Sequence, residues 1–299
     1  MFVVTGASGH TGSVVADNLL AAGKKVRAIG RSAERLQRLV HKGAEPFVAS
    51  LTDSEALTRA FRGVRAVYVM IPPNYSASDV RADQQAVTEA IASALERAAV
   101  THAVTLSSVG ADKAEGTGPV VGLHRLEQRL NRIAGLNVLH LRAGYFMENT
   151  LGQVGIIHQT GTAIGPLEPN LRFPMIATRD IGDAAADALL KLEFNSHETR
   201  ELLGPNDITM TEVAAILAKA IGKPDLKYVH APDDKVRDAM LQMGMSEDLV
   251  AQLLEMSHAM NAGHMKPLEP RSARNSTSTS FATFARQEFV PQYKGKAAA

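Results

Sequence analysis

The chain has 299 residues, 45% of them hydrophobic and 21% charged, with a formal net charge of +1. Acids and bases are mixed along it, which leaves no basic stripe for nucleic acid and no polybasic patch for a membrane surface. There is no cysteine, so disulfides, thiolate metal sites and a cysteine nucleophile are excluded.

The first element is a short apolar strand, Met1-Phe2-Val3-Val4-Thr5, running straight into Gly6-Ala7-Ser8-Gly9-His10-Thr11-Gly12. Gly6 can turn sharply out of the strand, Gly9 lets backbone N–H groups approach phosphate oxygens, and Gly12 lets the next helix lie close to the sheet. The helix beginning near Thr11 aims its unsatisfied N–H groups and positive dipole end at an anion. A dinucleotide pyrophosphate is therefore expected on Gly6, Ser8, Gly9, His10, Thr11 and Gly12, against the plainer reading of a glycine-rich turn with no ligand. Val14, Val15, Leu19 and Leu20 share one face of that helix, Gly23 stops it, and Lys25-Val26-Arg27-Ala28-Ile29 alternates as a second strand. At the end of such a strand an NAD-preferring site usually carries an acid for the ribose 2′-OH. Here Gly30-Arg31-Ser32 offers no acid until Glu34. Arg31 presents a fork of donors to a 2′-phosphate, the alternative being a solvated loop arginine. NADP(H) is thus favoured over NAD(H).

The alternation continues: helix 33–41, strand 45–49, helix 54–61, strand 66–71, helix 80–98, strand 102–106, helix 121–133, strand 137–141. Repeated βα units with apolar strands predict an α/β, Rossmann-type doubly wound parallel sheet, with ligands at the carboxyl ends of the strands. From about Tyr145 onward, glycines and prolines punctuate shorter elements. A smaller, mostly helical C-terminal substrate lobe is expected over 145–299, with 176–204 returning to the main layer after a dinucleotide-binding domain of 1–144. Thr209-Met210-Thr211-Glu212 predicts a capped helix start, with Gly222 and Pro224 at its end. Further helices are expected at 233–243, 247–260 and 281–289, the last after a polar Ser/Thr-rich stretch, and residues 294–299 are expected to be disordered.

In order and spacing, several segments resemble the NmrA-like branch of atypical short-chain dehydrogenase/reductases. That branch includes NAD(P)H-dependent quinone and azo-dye reductases and cofactor-sensing regulators. The carriers are the Gly6 to Gly12 turn, Ile71-Pro72-Pro73, Leu141-Arg142-Ala143-Gly144-Tyr145-Phe146-Met147-Glu148-Asn149, Asp180-Ile181-Gly182-Asp183-Ala184-Ala185, Gly204-Pro205, Glu212-Val213-Ala214 and the segment from Phe281 to Phe289. The resemblance implies that Ile71 and Pro72 flank the nicotinamide, and that Tyr145, Phe146 and Met147 wall it. Pro73, Tyr145 and Asn149 would then begin the substrate side. Pro72 and Pro73 also suit a plain loop brace, since they have no N–H to satisfy. Where the family's third strand often ends in an acid, this chain has Ser50. Ser50 and Leu51 are left to face the adenosine, and Asp53 to cap the next helix.

Typical short-chain dehydrogenases use a tyrosine activated by a lysine four residues on, because a nearby cation lowers the phenol's pKa. Tyr68, Tyr75, Tyr145, Tyr228 and Tyr293 are followed at that spacing by Pro72, Asp79, Asn149, Pro232 and Ala297, so the pair is absent. His124 is the polar candidate in its place, as a donor to the nicotinamide ribose or to a bound acceptor. A second reading makes it a helix histidine sharing a solvated face with Glu127 and Gln128. Ser107 is read as a cofactor or substrate contact, or as a strand-capping hydroxyl. The methionines from Met240 to Met265 suit either helix core or an adaptable pocket.

The expected function is an NADPH-dependent reductase passing hydride to a quinone-like or otherwise conjugated small-molecule acceptor. The alternative is a non-catalytic NADP(H) sensor acting through a regulatory protein partner or a homodimer contact. No nucleic-acid, membrane or metal partner is expected. With no apolar run near ~20 residues and a strand beginning at Phe2, the expected compartment is the cytoplasm.

Overall fold

Residues 1–295 are described by a computed structural model. The N-terminal half alternates strand and helix: β1 (Phe2–Val4), α1 (His10–Ala21), β2 (Val26–Gly30), α2 (Ala33–Val40), β3 (Glu45–Val48), α3 (Ser54–Phe61), β4 (Ala66–Val69), α4 (Val80–Arg97), β5 (His102–Ser108), α5 (Val120–Leu130) and β6 (Asn137–Ala143). Helix starts follow local chemistry. The side chains of Ser32, Asp53 and Asp79 accept the backbone N–H of Arg35, Ala56 and Ala82, capping α2, α3 and α4.

After β6 come β7 (Tyr145–Phe146), a 3₁₀ turn (Met147–Gly152), α6 (Gln153–Thr160), β8 (Ala163–Gly165), β9 (Phe173–Ile176), α7 (Thr178–Lys191), β10 (His197–Leu202), β11 (Asp207–Ile208), α8 (Met210–Ile221), β12 (Tyr228–His230), α9 (Asp233–Gln242), α10 (Glu247–Asn261), α11 (Phe281–Phe284) and α12 (Val290–Tyr293). Strands β3-β2-β1-β4-β5-β6-β10 form one seven-stranded sheet in that order, every pair parallel. Because strand side chains alternate, Phe2 and Val4 of β1 join the apolar layer under α1, α2 and α7, while Val3 joins the opposite layer under α3, α4 and α5. Glycine sets the approach of α7 to α1, since a Cβ on Gly182 would fall 2.5 Å from the Cβ of Val14.

The remaining C-terminal elements build a second core around Met147, Ile157, Phe173, Leu217, Phe284 and Phe289. It includes two small sheets, β11-β9-β7 and β12-β8, which the irregular sequence after Tyr145 did not reveal. Helix α8 starts with a capping box: the Thr209 hydroxyl accepts the Glu212 N–H and the Glu212 carboxylate accepts the Thr209 N–H. The last helix runs on past Phe289 through a π-turn (Ala285–Phe289) into α12. Of the terminal residues expected to be disordered, Lys294 and Gly295 form a turn, and 296–299 lie outside the described residues. Among the described residues no helix is long and apolar enough to cross a membrane.

Candidate functional site

Strand β1 lies between β2 and β4, where the strand order reverses, the position at which parallel sheets of this kind open a crevice. Gly6 leaves β1 with φ +60, and its carbonyl accepts the Gly9 N–H at 2.9 Å. A Cβ on Gly12 would fall 2.8 Å from the Gly6 carbonyl carbon and 3.1 Å from the Thr5 oxygen, so α1 rests on the turn more closely than any side chain allows. Gly9 is the extended N-cap, and among the described residues no side chain caps α1. The exposed first turn therefore keeps donors to offer an anion. Ser8, Gly9 and His10 are exposed there, and Thr11 and Gly12 are buried. The Thr11 hydroxyl is committed elsewhere, accepting from the buried Tyr68 phenol at 2.9 Å, so Thr11 has its backbone to offer. Burial pushes the Tyr68 phenol up against this hydrogen bond. The Thr5 hydroxyl donates to the Tyr68 carbonyl and accepts the Met70 N–H, tying β1 to β4. The Met70 sulfur covers the turn, 2.7 Å from where a Gly6 Cβ would stand.

Around this cradle, Arg31 is exposed at the end of β2 with no side-chain hydrogen bond or ion pair among the described residues. Ser50 is exposed after β3, its hydroxyl 2.8 Å from that of Thr52. Leu51 points the other way, into the layer under α3 and α4, so its backbone is what it can offer an adenosine. Asp53 caps α3 at 2.9 Å. Ile71 and Pro72 are half-buried after β4, and Pro73 is exposed.

On the β5 side Ser107 is buried and its hydroxyl donates to Glu127 Oε1 at 2.6 Å, so its backbone is what it can offer a ligand. Glu127 in turn shares no solvated face with His124. It is 1% exposed and takes a two-pronged contact from Arg142 of β6, at 3.0 Å and 2.6 Å. His124 is half-buried, with Nδ1 2.9 Å from the Ala111 carbonyl oxygen. A carbonyl can only accept, so Nδ1 carries the proton, and Nε2 has no partner among the described residues. Beside this network His140 lies between the Thr105 hydroxyl at 2.7 Å and Asn131 Oδ1 at 2.9 Å. Burial lowers its pKa to about 4.

Tyr145 and Phe146 pair in register with Met175 and Ile176, and the Tyr145 ring meets Phe173 edge-on at 5.4 Å. Burial raises the Tyr145 phenol against a hydrogen bond with the exposed Asn149, which makes it a poor acid near neutral pH. Met147 is buried in the lobe core. Glu148 anchors the turn to α7, accepting the Thr178 N–H at 2.9 Å and hydroxyl at 2.6 Å.

Sequence reasoning missed the pairing of Glu127 with Arg142, the cover that Met70 makes over the Gly6 turn, and the contact of Met265 with Gly110. For Glu127 a signal existed: it falls beside Leu126 and one turn before Leu130, on the apolar stripe of its helix. The contact of Met265 with Gly110 had none, because the two are remote in the chain.

The uncapped helix start, the missing Cβ atoms at Gly6 and Gly12, and the unpaired Arg31 together fit a bound dinucleotide carrying a further phosphate. The chain is 29% identical over 258 residues to an NAD(P)H azoreductase of Xenophilus azovorans, covering 86% of each. It is 30% identical over 243 residues to a (4-alkanoyl-5-oxo-2,5-dihydrofuran-3-yl)methyl phosphate reductase of Streptomyces griseus, covering 81% of this chain and 80% of the relative. In fold it is similar to an NADPH-dependent quinone oxidoreductase of Escherichia coli solved with NADPH, with a TM-score of 0.76, 22% identity and coverage of 100% of this chain and 96% of that one. The sequence pattern of the NmrA-like family matches residues 1–286, and the chain belongs to that family.

Proposed function

We propose that the protein is an NADPH-dependent reductase of a quinone-like or otherwise conjugated small-molecule acceptor, working in the cytoplasm. The observation that carries this reading is the uncapped start of α1 above the Gly6–Gly12 contact, at the point where the strand order reverses. The relatives named above as reductases support it. When bound, a reduced nicotinamide supplies a hydride to an electron-poor acceptor.

The backbone of Gly6, Ser8, Gly9, His10, Thr11 and Gly12 holds the pyrophosphate, and Arg31 holds the 2′-phosphate, which favours NADP(H) over NAD(H). Ser50 and the Leu51 backbone face the adenosine. Ile71, Pro72, Tyr145, Phe146 and the backbone of Met147, whose side chain is buried in the lobe core, surround the nicotinamide, with Pro73, Tyr145 and Asn149 toward the acceptor. Ser107 acts from beneath, by fixing Glu127. His124 Nε2 is the ring nitrogen left free, and it delivers a proton only from the imidazolium form, because the Ala111 carbonyl holds the Nδ1 proton, with solvent as the other source. Residues 1–144 together with 176–204 serve as the dinucleotide-binding layer, and the rest of the C-terminal region serves as the acceptor lobe.

Following NADPH absorbance with a panel of quinones tests this. Acceptor-dependent consumption is expected, and its absence despite tight NADPH binding would defeat the reductase reading. The lack of a tyrosine and lysine pair then favours the second reading, an NADP(H) sensor whose lobe contacts a regulatory protein or a second copy of the chain.

A further inference from the structure

Between α10 and α11 the chain forms a strap, residues 262–280, without a helix or a strand. Side chains of the main body fix its course. Glu201, 3% exposed near the end of β10, accepts the Leu268 N–H on one carboxylate oxygen at 2.8 Å and the Glu269 N–H on the other at 3.0 Å. Further along, the Arg271 guanidinium donates to the carbonyls of Leu203 and Gly204 and to the Asp207 carboxylate. Asp180 accepts the Thr279 N–H and hydroxyl.

Glu201 stands beside Arg142 in register, yet that guanidinium is engaged by Glu127. The buried carboxylate is thus hydrogen-bonded to two strap amides, a charge-assisted arrangement that is strong where water is excluded. Three residues before Leu268, Met265 lies on the turn after β5: its Cγ and Cε are each 2.9 Å from where a Gly110 Cβ would stand, and Gly110 has φ +93. The neighbouring Ala111 carbonyl is the one that accepts from His124. One two-residue turn therefore carries Met265 on one residue and His124 on the next. Met265 and Tyr145 also fringe the same lobe core, which contains Met147.

We propose that Met265 is a specificity-determining residue of the acceptor pocket, its thioether lying against a flat conjugated ring, and that Glu201 is the positioning residue that holds the strap so that Met265 stays there. A thioether is polarizable and adapts to aromatic faces, which suits an acceptor recognised by shape more than by hydrogen bonds. This rests on the reductase reading above. The Glu201 clamp itself can be tested without turnover.

In the full-length protein, amide hydrogen exchange at Leu268 and Glu269 should be slow, and Glu201→Gln should speed it by about tenfold or more, as expected for losing a hydrogen bond to a charged group. With NADPH and menadione, Glu201→Gln and Met265→Ala should each raise the acceptor KM by about tenfold, with kcat within about twofold and NADPH affinity unchanged. Met265→Leu should restore most of the loss, and the double variant should be no worse than either single one. Leu268→Pro, which removes one donor and leaves β10 intact, should reproduce the loosening if Glu201→Gln proves hard to fold. Unchanged exchange in Glu201→Gln, a loosened strap with unchanged KM, or additive losses in the double variant would each overturn the proposal. A wild type that turns over no quinone while its strap amides stay protected would overturn the role of Met265 along with the reductase reading, and would leave the clamp standing.

Discussion

Gly12→Ala separates the geometry of the cradle from ordinary helix preference. In a helix interior, alanine is intrinsically better than glycine by about 1 kcal/mol, so propensity alone predicts a more stable protein. The structure predicts the reverse. The new Cβ would lie 2.8 Å from the Gly6 carbonyl carbon and 3.1 Å from the Thr5 oxygen. Both belong to backbone, which cannot rotate away as a side chain can. Relieving the overlap means lifting α1 off the turn, at a typical overpacking cost of about 1–3 kcal/mol, leaving a net loss of up to about 2 kcal/mol after the helix gain. The same displacement moves the N–H groups meant for the pyrophosphate, and losing one charge-assisted bond there weakens NADPH by about tenfold or more. Urea unfolding reads the first effect and a fluorescence titration with NADPH reads the second. Gly155→Ala is the control: it lies in α6 with nothing within 4 Å of the added Cβ, and a gain of about 0.5–1 kcal/mol is expected. A Gly12→Ala protein as stable as the wild type, with unchanged NADPH affinity, would refute the reasoning.

Arg31→Ala should weaken NADPH by about tenfold or more and NADH much less, since the 2′-phosphate is the difference between them; equal losses in titrations with both cofactors would show that Arg31 does not read it. Glu127→Ala should destabilise by about 3–5 kcal/mol in urea unfolding, because it strands Arg142, whose side chain is 12% exposed, and the Ser107 hydroxyl. A loss below about 1 kcal/mol would mean the pair relaxes into water. His140, with its pKa lowered to about 4 by burial, stays neutral in the fold while the unfolded chain takes up a proton below the ordinary value near 6.5. Stability should therefore fall as the pH drops from about 6.5 toward about 4, by up to about 3 kcal/mol. His140→Gln should flatten that slope, and urea midpoints taken at several pH values would expose an identical slope in both proteins. His124→Gln should lower kcat with quinones by about a hundredfold if Nε2 supplies the proton; a rate equal to wild type across the quinone panel assigns the proton to solvent.

Much of the fold was legible because its signals are local. The alternation of apolar strands with capped helices, the glycines after β1, and the Thr209 and Glu212 capping box all act within a few residues, so neighbours in sequence are neighbours in space. The lobe was less legible, since its two small sheets use strands of two to four residues, too short for a period to register. Ser107 shows the same limit at the site. Its place at a strand end reads as a ligand contact or a capping hydroxyl, and neither reading points to Glu127, twenty residues away, as the group that takes its hydroxyl.

By itself, then, the sequence determined the doubly wound sheet, the bend at Gly6 and the closeness of α1, because backbone freedom and side-chain alternation are properties of the chain segment. Tertiary structure alone decided which polar groups remain available to a ligand. Glu127 and Arg142 are committed to each other, Thr11 to Tyr68, and Glu201 to the strap, whereas Arg31 and His124 Nε2 are left over. That division depends on burial and on partners distant in sequence, since a charge that loses water must find its hydrogen bonds wherever the fold brings them.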